Sequence, residues 1–356
     1  MVRLFHFENA NNVVASTFVW SIVFLSFLFT SLTNGQHQTE NNQVATLRPV
    51  AAKVVAKENE AGVLFSENGK PVLQYQAKPK DRNGTHRRAN YVHPLYDLAG
   101  NVLTEDFPGD HLHHRGIFWA WHQVNVGGKR AGDAWMTQDF DWVVGELATS
   151  VLKTGAAKMN AEIQWKSPDV VGKNGKPLPI INESTSIVVH SASNQCRLID
   201  FEIKLLAAQP KVTIGGSENV KGYGGFSVRI VQPQDLEFLT AKGKVKAINT
   251  QLDCGNWVDL VGTYFPKQQS DSSSTDPNSK SGVAILVHPS SAGFPQKWIL
   301  RSKVKSMQNP VFPGKKAVPV SQTEPTVLRY RLVIHNTEMS VDALTKLSKE
   351  YGLVKF

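Results

Sequence analysis

The sequence has few cysteines, no clustered positive charge and almost no long apolar segment. Cys196 and Cys254 are its only cysteines, which permits one disulfide bond but excludes a cysteine-rich scaffold and a four-cysteine zinc site. The net charge is +9, yet the sequence contains no run of five or more lysines and arginines, so we predict no nucleic-acid partner. After position 40 no uncharged apolar run reaches about 18 residues, the length that suggests a membrane-spanning helix.

The one long apolar segment lies near the N-terminus. Arg3 precedes an uncharged stretch whose centre, residues 18–29, is almost wholly apolar, as in an export signal. Small residues just before Gln36 predict cleavage there, so that residues 1–35 form a signal peptide and residues 36–54 a flexible tail. An uncleaved membrane anchor is the alternative. Both interpretations predict an exported protein, periplasmic or secreted, with no other contact to a membrane.

The rest of the chain alternates apolar and polar residues, as half-buried β-strands do. In one segment Asp200, Glu202 and Lys204 separate the apolar side chains of Ile199, Phe201, Ile203 and Leu205. The same alternation recurs elsewhere, with apolar positions at Ile187 and Val189; at Val283, Ile285 and Val287; and at Leu328, Tyr330, Leu332 and Ile334. Glycine and proline between these segments mark turns.

A helical pattern occurs only near the C-terminal end. Ser340 can cap a helix and Gly352 can end it, with an apolar face formed by Val341, Leu344, Leu347 and Tyr351. One short helix cannot cover a large sheet, so the strands must bury their apolar faces against other strands. We therefore predict an all-β fold, a single domain at residues 55–356 that is a large antiparallel sandwich of two sheets with one short C-terminal helix.

The densest group of ionisable side chains is the segment His-Leu-His-His-Arg-Gly at residues 111–116. Histidine titrates near neutral pH and exchanges hydrogen bonds with ligands. We favour a site in which His113 or His114 is a general acid and Arg115 holds a hydroxyl or carboxylate group. We thus predict catalytic roles for His113, His114 and Arg115, with no bound metal or cofactor.

Two other interpretations of this segment remain open. On a strand, His111 and His113 would point to the same side and could chelate a metal ion, with Asp110 or His122 completing the shell. Alternatively, the histidines are structural and bond only to neighbouring backbone.

Aromatic residues follow directly. Trp119 and Trp121 would share one face of a strand and could form a platform for a sugar ring, because pyranose C–H groups pack on aromatic rings. The same two residues are equally suited to a protein core. We list them as candidate substrate-binding residues.

Glycines at positions 215–216 and the segment Gly-Tyr-Gly-Gly-Phe-Ser-Val-Arg at 222–229 form a second unusual element. Such glycines allow tight turns and close backbone approach, which would deliver Tyr223 and Arg229 to a ligand. The segment lacks the Gly-Lys-Ser/Thr ending of a phosphate loop.

Two His-Pro steps add candidates for the same pocket. They are His93-Pro94 and His288-Pro289, and Arg301 follows the second. We predict that His93, His288 and Arg301 contact the substrate. The sequence leaves the general base open among Glu105, Asp106, Glu218, Asp253 and Asp259.

Six ordered motifs resemble the exported bacterial proteins labelled the "methane oxygenase PmoA" family: His93-Pro94-Leu95, His113-His114-Arg115-Gly116, residues 222–229, Trp257-Val258-Asp259, His288-Pro289 and Leu328-Arg329-Tyr330-Arg331. That uncharacterised family is similar to galactose-mutarotase-like β-sandwiches, whose concave face binds sugars. The resemblance therefore implies this fold and, by analogy, a sugar ligand. The true PmoA subunit crosses the membrane several times, unlike this sequence, so we infer no methane oxidation from the label.

Three functional hypotheses follow. The first is an exported carbohydrate-active protein that carries out acid–base chemistry on a sugar or uronate, with a small molecule or oligosaccharide as its partner. The second is a carbohydrate-binding module without catalysis, which would use Trp119 and Trp121. The third, a minor one, is a histidine-ligated metal oxidase. Whether the protein is an enzyme is left open by the sequence.

Overall fold

The computed structural model describes residues 54–264, 280–302 and 307–356. The predicted signal peptide at 1–35 lies outside the described residues, as does the predicted tail except for Val54, which already begins a strand. Within the described ranges no helix is long and apolar enough to cross a membrane. Cys196 and Cys254 are both free thiols.

The described residues form strands and one helix. In chain order they are β1 (Val54–Asn59), β2 (Gly62–Glu67), β3 (Lys70–Gln76), β4 (Lys80–Arg82), β5 (Thr85–Arg88), β6 (Tyr91–Leu95), β7 (Ile117–Ala120), β8 (Gln123–Val126), β9 (Lys129–Gly132), β10 (Asp141–Val151), β11 (Ala157–Val171), β12 (Pro177–Val189), β13 (Cys196–Ala207), β14 (Val212–Gly215), β15 (Gly225–Arg229), β16 (Glu237–Thr240), β17 (Gly243–Val245), β18 (Trp257–Gly262), β19 (Ser281–Val287), β20 (Lys297–Ile299), β21 (Met307–Val311), β22 (Val318–Pro319), β23 (Thr326–His335) and α1 (Val341–Tyr351).

Two large antiparallel sheets make up most of the fold. The first sheet has the strand order β1-β2-β3-β6-β7-β15-β21-β20, and the second has the order β10-β11-β12-β13-β23-β19-β18-β16-β17. A four-stranded sheet, β22-β14-β8-β9, and the β4-β5 hairpin complete the described strands. The predicted all-β class with one short C-terminal helix is confirmed.

Aromatic side chains from the two large sheets meet in one core. The ring of Phe201 on β13 lies 5.2 Å from that of Phe226 on β15 and 6.5 Å from that of Trp119 on β7. Phe226 also stacks on Tyr330 of β23, with 4.4 Å between the ring centroids. Because β7 and β15 belong to the first sheet and β13 and β23 to the second, these contacts join the sheets into the predicted sandwich.

The second sheet is covered on part of its outer face by α1. Ser340 caps the helix by accepting a hydrogen bond from the backbone N–H of Ala343, as the sequence predicts. Leu344 and Tyr351 of the helix pack in one apolar cluster with Trp257, Ala284, Leu286 and Val333. This cover explains why β19, predicted to be half-buried, is buried on both faces from Gly282 to Val287.

Candidate functional site

The histidines of residues 111–116 lie on turns between β6 and β7 and not on a strand. The backbone N–H of His111 donates to the carbonyl of Pro108 (3.0 Å), and that of His114 donates to the carbonyl of His111 (2.9 Å). The strand geometry that the metal interpretation assumes for His111 and His113 is therefore not found. The turns bring the three rings together, with His114 stacked on His111 at 4.7 Å and edge-on to His113 at 4.6 Å.

Gly116 fixes the end of this turn segment. Its φ angle is +52°, and a Cβ atom at this position would lie 2.1 Å from the carbonyl oxygen of Val92. The Gly116 N–H donates to the Glu105 carbonyl (2.7 Å), and the Arg229 N–H donates to the Gly116 carbonyl (2.8 Å). Only glycine fits this conformation and this close approach, which explains the glycine that follows the histidines and the arginine.

Two of the histidines are held in the neutral form. Burial, and then the nearby His111 and Arg88 side chains, lower the pKa of His113 to about 3. Burial, followed by the adjacent His113 and His111, lowers the pKa of His114 well below its ordinary value. Within the described residues the ring nitrogens of His113 have no hydrogen-bond partner. At neutral pH His113 thus presents an unprotonated nitrogen that can act as an acceptor, and its low pKa makes it a weak base, whereas the sequence hypothesis gave it or His114 the role of acid.

We predict a pH effect on stability from this burial. The pKa of an unfolded histidine is near 6.5 and that of folded His113 is about 3. Between these values the unfolded chain binds more protons, so stability falls as the pH falls. The variant His113→Gln should lack about 2 kcal/mol of the decrease in unfolding free energy between pH 8 and pH 5. Urea denaturation of both proteins at both pH values measures this difference. Carboxylates affect both proteins alike, so an unchanged pH dependence would contradict the prediction.

Arg229 orients His114 and uses four of its five N–H donors within the protein. Its Nε donates to Glu105 (2.6 Å) and its Nη2 to Asp110 (2.6 Å), while Nη1 donates to Asp110 (3.2 Å) and lies 3.4 Å from Nδ1 of His114. Since an arginine only donates, Nδ1 of His114 is the acceptor and Nε2 carries the proton of the neutral ring. Arg229 does not line the cavity beside the histidines and acts there as a positioning residue for His114, so its predicted contact with substrate stays a prediction.

Arg115 is likewise a structural residue in this position. Its side chain is fully buried, bonds to Asp106 and to the hydroxyl of Tyr91 (2.5 Å), and donates to the carbonyls of Lys80 and His86. The guanidinium carbon also lies 3.6 Å from the ring centroid of Phe107. These contacts leave no donor free, so the structure does not support the predicted catalytic role.

Trp119 and Trp121 belong to the core. Both are 0% exposed, and their indole N–H groups donate to Glu183 (2.8 Å) and to the carbonyl of Phe312 (2.7 Å). A ring that is not exposed cannot form a platform for a sugar, so the predicted binding role of both tryptophans is wrong.

His93 and His288 do not contact the three clustered histidines. His93, on β6, bonds through Nδ1 to Thr104 (3.0 Å). His288 packs edge-on against Tyr351 of α1, with 5.0 Å between the rings, and bonds to Ser290. The predicted convergence of both residues on one pocket is not found.

The histidine cleft, as we call the cavity beside these rings, has a volume of about 360 Å³, near the lower end of the range of about 300–1,000 Å³ for ligand sites. It is lined by His111, His113, His114, Trp135, Met136, Lys221, Tyr223, Asn249, Arg301 and Met307. The structure therefore brings together four of the predicted site residues: His113, His114, Tyr223 and Arg301.

The glycine-rich segment places Tyr223 in this cleft. A Cβ atom on Gly222 would lie 2.6 Å from the backbone nitrogen of Lys315, and one on Gly224 would lie 2.9 Å from the Cα atom of Gly216. The backbone N–H of Ser217 donates to the carbonyl of Tyr223 (2.9 Å). The close packing that the glycines predict thus fixes the tyrosine between two turns.

The charge of the histidine cleft is positive and unbalanced. Arg301 donates to the neutral side chain of Asn249 (3.0 Å), and neither Arg301 nor Lys221 forms a salt bridge within the described residues. Among the described residues no aspartate or glutamate lines the cleft. The nearby carboxylate of Asp110 is bonded to His111 (2.8 Å) and to Arg229. The cleft is therefore suited to an anionic ligand.

A buried arginine near the histidines was missed by the sequence analysis. Arg88 is 0% exposed, lies 4.1 Å from the ring of Trp142 and donates from Nη2 to the carbonyl of Ala134 (2.6 Å). Its Nε and Nη1 atoms have no partner within the described ranges. Burial, and then the charge of Arg115, lowers the pKa of Arg88 to about 9, so it remains cationic at neutral pH. The sequence gives no signal that Arg88 is buried, since it simply follows another arginine.

The described residues contain no group of three or more histidine, cysteine, aspartate or glutamate side chains placed to hold a metal ion. His122, one candidate ligand, bonds to Asp133 (3.0 Å) and is paired there instead of completing a shell with His111 and His113. The geometry gives no support to the metal hypothesis.

Comparisons with known proteins give a family but no activity. No curated protein matches the chain. Among solved structures it is similar to a candidate mutarotase (YeaD) from Salmonella typhimurium, with 9% identity, a TM-score of 0.30 and coverage of 77% of this chain and 84% of that chain. A likeness this distant says nothing about function. The methane oxygenase label occurs in none of these comparisons and stays a prediction. Residues 62–349 match a family of unknown function, DUF6807, and the chain belongs to that family.

Proposed function

We propose that the protein binds a sugar acid in the histidine cleft and transfers protons to and from it with His113 and His114. The observation that carries this proposal is the pair of cations, Arg301 and Lys221, which line the cleft without a carboxylate partner within the described residues. A uronate would supply the missing negative charge. Arginine suits a carboxylate because its planar donors match two oxygens at once.

The other lining groups suit hydroxyls. Neutral histidine, tyrosine and asparagine can each donate and accept hydrogen bonds, as a sugar hydroxyl does. The hydroxyl of Tyr223 has no hydrogen-bond partner within the described residues, and Asn249 uses its oxygen for Arg301. A ligand with one carboxylate and several hydroxyls would thus match the charge and the free hydrogen-bonding groups of the cleft.

Proton transfer needs one group that accepts and one that donates. His113 is neutral with its ring nitrogens free, and His114 presents Nε2–H because Arg229 faces its Nδ1 atom. The two rings lie 4.6 Å apart, centroid to centroid, so both can reach one small ligand. Because Trp119 and Trp121 are buried, they cannot serve as the platform of a carbohydrate-binding module. Binding without catalysis remains a possible result of the turnover measurement.

We expect isothermal titration calorimetry to show that glucuronate or galacturonate binds more tightly than glucose or galactose. The variant Arg301→Met keeps the side-chain length and removes the charge, and it should weaken binding of the acid about 10-fold or more, the effect of one lost charge-assisted hydrogen bond. The exposed Arg87, which pairs with Asp141, provides the matched control Arg87→Met, which should bind as the wild type does. Equal affinity for acids and neutral sugars, or no effect of Arg301→Met, would refute the proposal.

A further inference from the structure

A second cleft adjoins the histidine cleft on the other side of Tyr223. It has a volume of about 650 Å³ and is lined by His122, Arg130, Asp133, Gln138, Ser217, Glu218, Asn219 and Tyr223. Tyr223 lines both cavities. Its ring lies 4.9 Å from Trp135 and 5.1 Å from His122, and the latter two rings stack at 5.4 Å. These three rings form the partition between the clefts.

The β8–β9 hairpin builds the floor of the second cleft. His122 comes directly before β8 and Asp133 directly after β9, and Val124 pairs with Gly132 across the hairpin. This pairing sets the two side chains next to each other, with His122 Nδ1 at 3.0 Å from Asp133 Oδ2. Asp133 also accepts from the backbone N–H of Met136 (2.9 Å), so the carboxylate is firmly held.

Several polar groups of this cleft have unused hydrogen-bonding capacity. Nε2 of His122 is buried without a partner within the described residues, and a buried ring nitrogen without a hydrogen bond costs free energy unless a ligand or water fills the space. The side chain of Gln138 has no hydrogen-bond partner in the described part of the chain, and Asn219 uses only its oxygen. These groups are suited to the hydroxyls of a polyol.

The charge of the second cleft differs from that of the first. Its charged lining residues are Arg130, Asp133 and Glu218, and Arg130 pairs with both acids, at 3.5 Å and 3.3 Å. The one cation of this cleft is thus already paired with two carboxylates, in contrast to Arg301 and Lys221. A second carboxylate would meet net negative charge here, whereas a neutral sugar unit would not.

We propose that the second cleft is a binding site for a neutral sugar unit linked to the uronate, so that the ligand is an acidic disaccharide or longer oligosaccharide. The inference rests on the proposed function, because the uronate carboxylate occupies the histidine cleft. The uronate lies on the Trp135 side of Tyr223, and the neutral unit lies on the His122 side. Only a ligand of at least two units fills both cavities.

The test is calorimetric titration of the full chain with a panel of aldobiouronic acids, each a uronate linked to a neutral hexose, beside the free uronates. At least one disaccharide should bind about 10-fold or more tightly than its own uronate, a gain of 1.4 kcal/mol. The variant Gln138→Ala should remove part of this gain and leave the affinity for the free uronate unchanged. His122→Phe keeps the stacking on Trp135 and removes the ring nitrogens, and it should have the same selective effect. Gln164 is exposed on β11 and lines neither cleft, so Gln164→Ala is the matched control.

The outcomes separate the two proposals. If free uronates bind through Arg301 but no disaccharide binds more tightly, the second site is refuted and the proposed function stands. If a disaccharide gains affinity that neither Gln138→Ala nor His122→Phe reduces, the neutral unit lies elsewhere and the assignment of this cleft is wrong. If no uronate binds at all, the proposed function itself fails.

Discussion

Replacing Glu183 by alanine should lower the free energy of unfolding by about 3–5 kcal/mol, because it leaves several buried hydrogen-bond donors unsatisfied at about 1–3 kcal/mol each. Glu183, on β12, is 0% exposed, and burial raises its pKa. Its carboxylate accepts four hydrogen bonds of 2.6–2.8 Å, from Asn90, Trp119, Trp165 and Thr185. Because Trp119 belongs to the first sheet and Trp165 to the second, the carboxylate joins the two sheets. Urea denaturation at pH 7 measures the change.

The variant Glu183→Gln is the matched control. Its carbonyl oxygen can replace Oε1, which accepts from Asn90, Trp119 and Thr185, but its amide N–H group would face the indole N–H of Trp165. We therefore expect a smaller loss, about 1–3 kcal/mol, for one unsatisfied buried donor. Losses below 1 kcal/mol in both variants would show that the carboxylate does not hold the sheets together.

Much of the fold was predictable because strand alternation and sheet burial have the same physical cause. The apolar positions of Ile199, Phe201, Ile203 and Leu205 are all buried in β13. The prediction that β19 is half-buried was wrong because α1 covers its outer face. The helix lies more than 50 residues later in the chain, so the sequence of the strand itself does not show this cover. Glu183 shows a similar limit, since an acidic residue on a strand normally predicts a solvent-facing position.

Less of the site was predictable. Residue types and glycine content were enough to predict that the histidines, Tyr223 and Arg301 lie in one site. The functions of the arginines could not be predicted, because a sequence does not show which arginine already has carboxylate partners. Arg115 pairs with Asp106, and Arg229 pairs with Glu105 and Asp110, whereas within the described residues the Arg301 side chain bonds only to the amide of Asn249. The predicted sugar-binding role of Trp119 and Trp121 was wrong for a related reason, since a pair of aromatic residues on one strand face suits a protein core as well as a sugar platform.

Because His113 is neutral in the free protein, the charge of a bound ligand would change how strongly it binds a proton. Burial and adjacent positive groups lower its pKa to about 3, where it is a weak base, and efficient proton transfer favours a catalytic pKa near the working pH. A carboxylate bound beside Arg301 would add the negative charge that favours protonated histidine. On this hypothesis the sugar acid strengthens the base that acts on it, so neutral sugars should react more slowly even at saturating concentration.

The variant His113→Gln should lower the turnover of a uronate about 100- to 10,000-fold, the usual range for loss of a general acid or base, while binding changes only a few-fold. Proton NMR in D₂O follows the reaction through exchange at the anomeric position or uptake of deuterium at carbon. The control His190→Gln removes a histidine that pairs with Asp200 (2.9 Å) outside the cleft, and its turnover should match that of the wild type. Turnover unchanged by His113→Gln would exclude His113 as the base. Binding without any turnover by the wild type would instead identify the protein as a binding module that uses the histidine cleft.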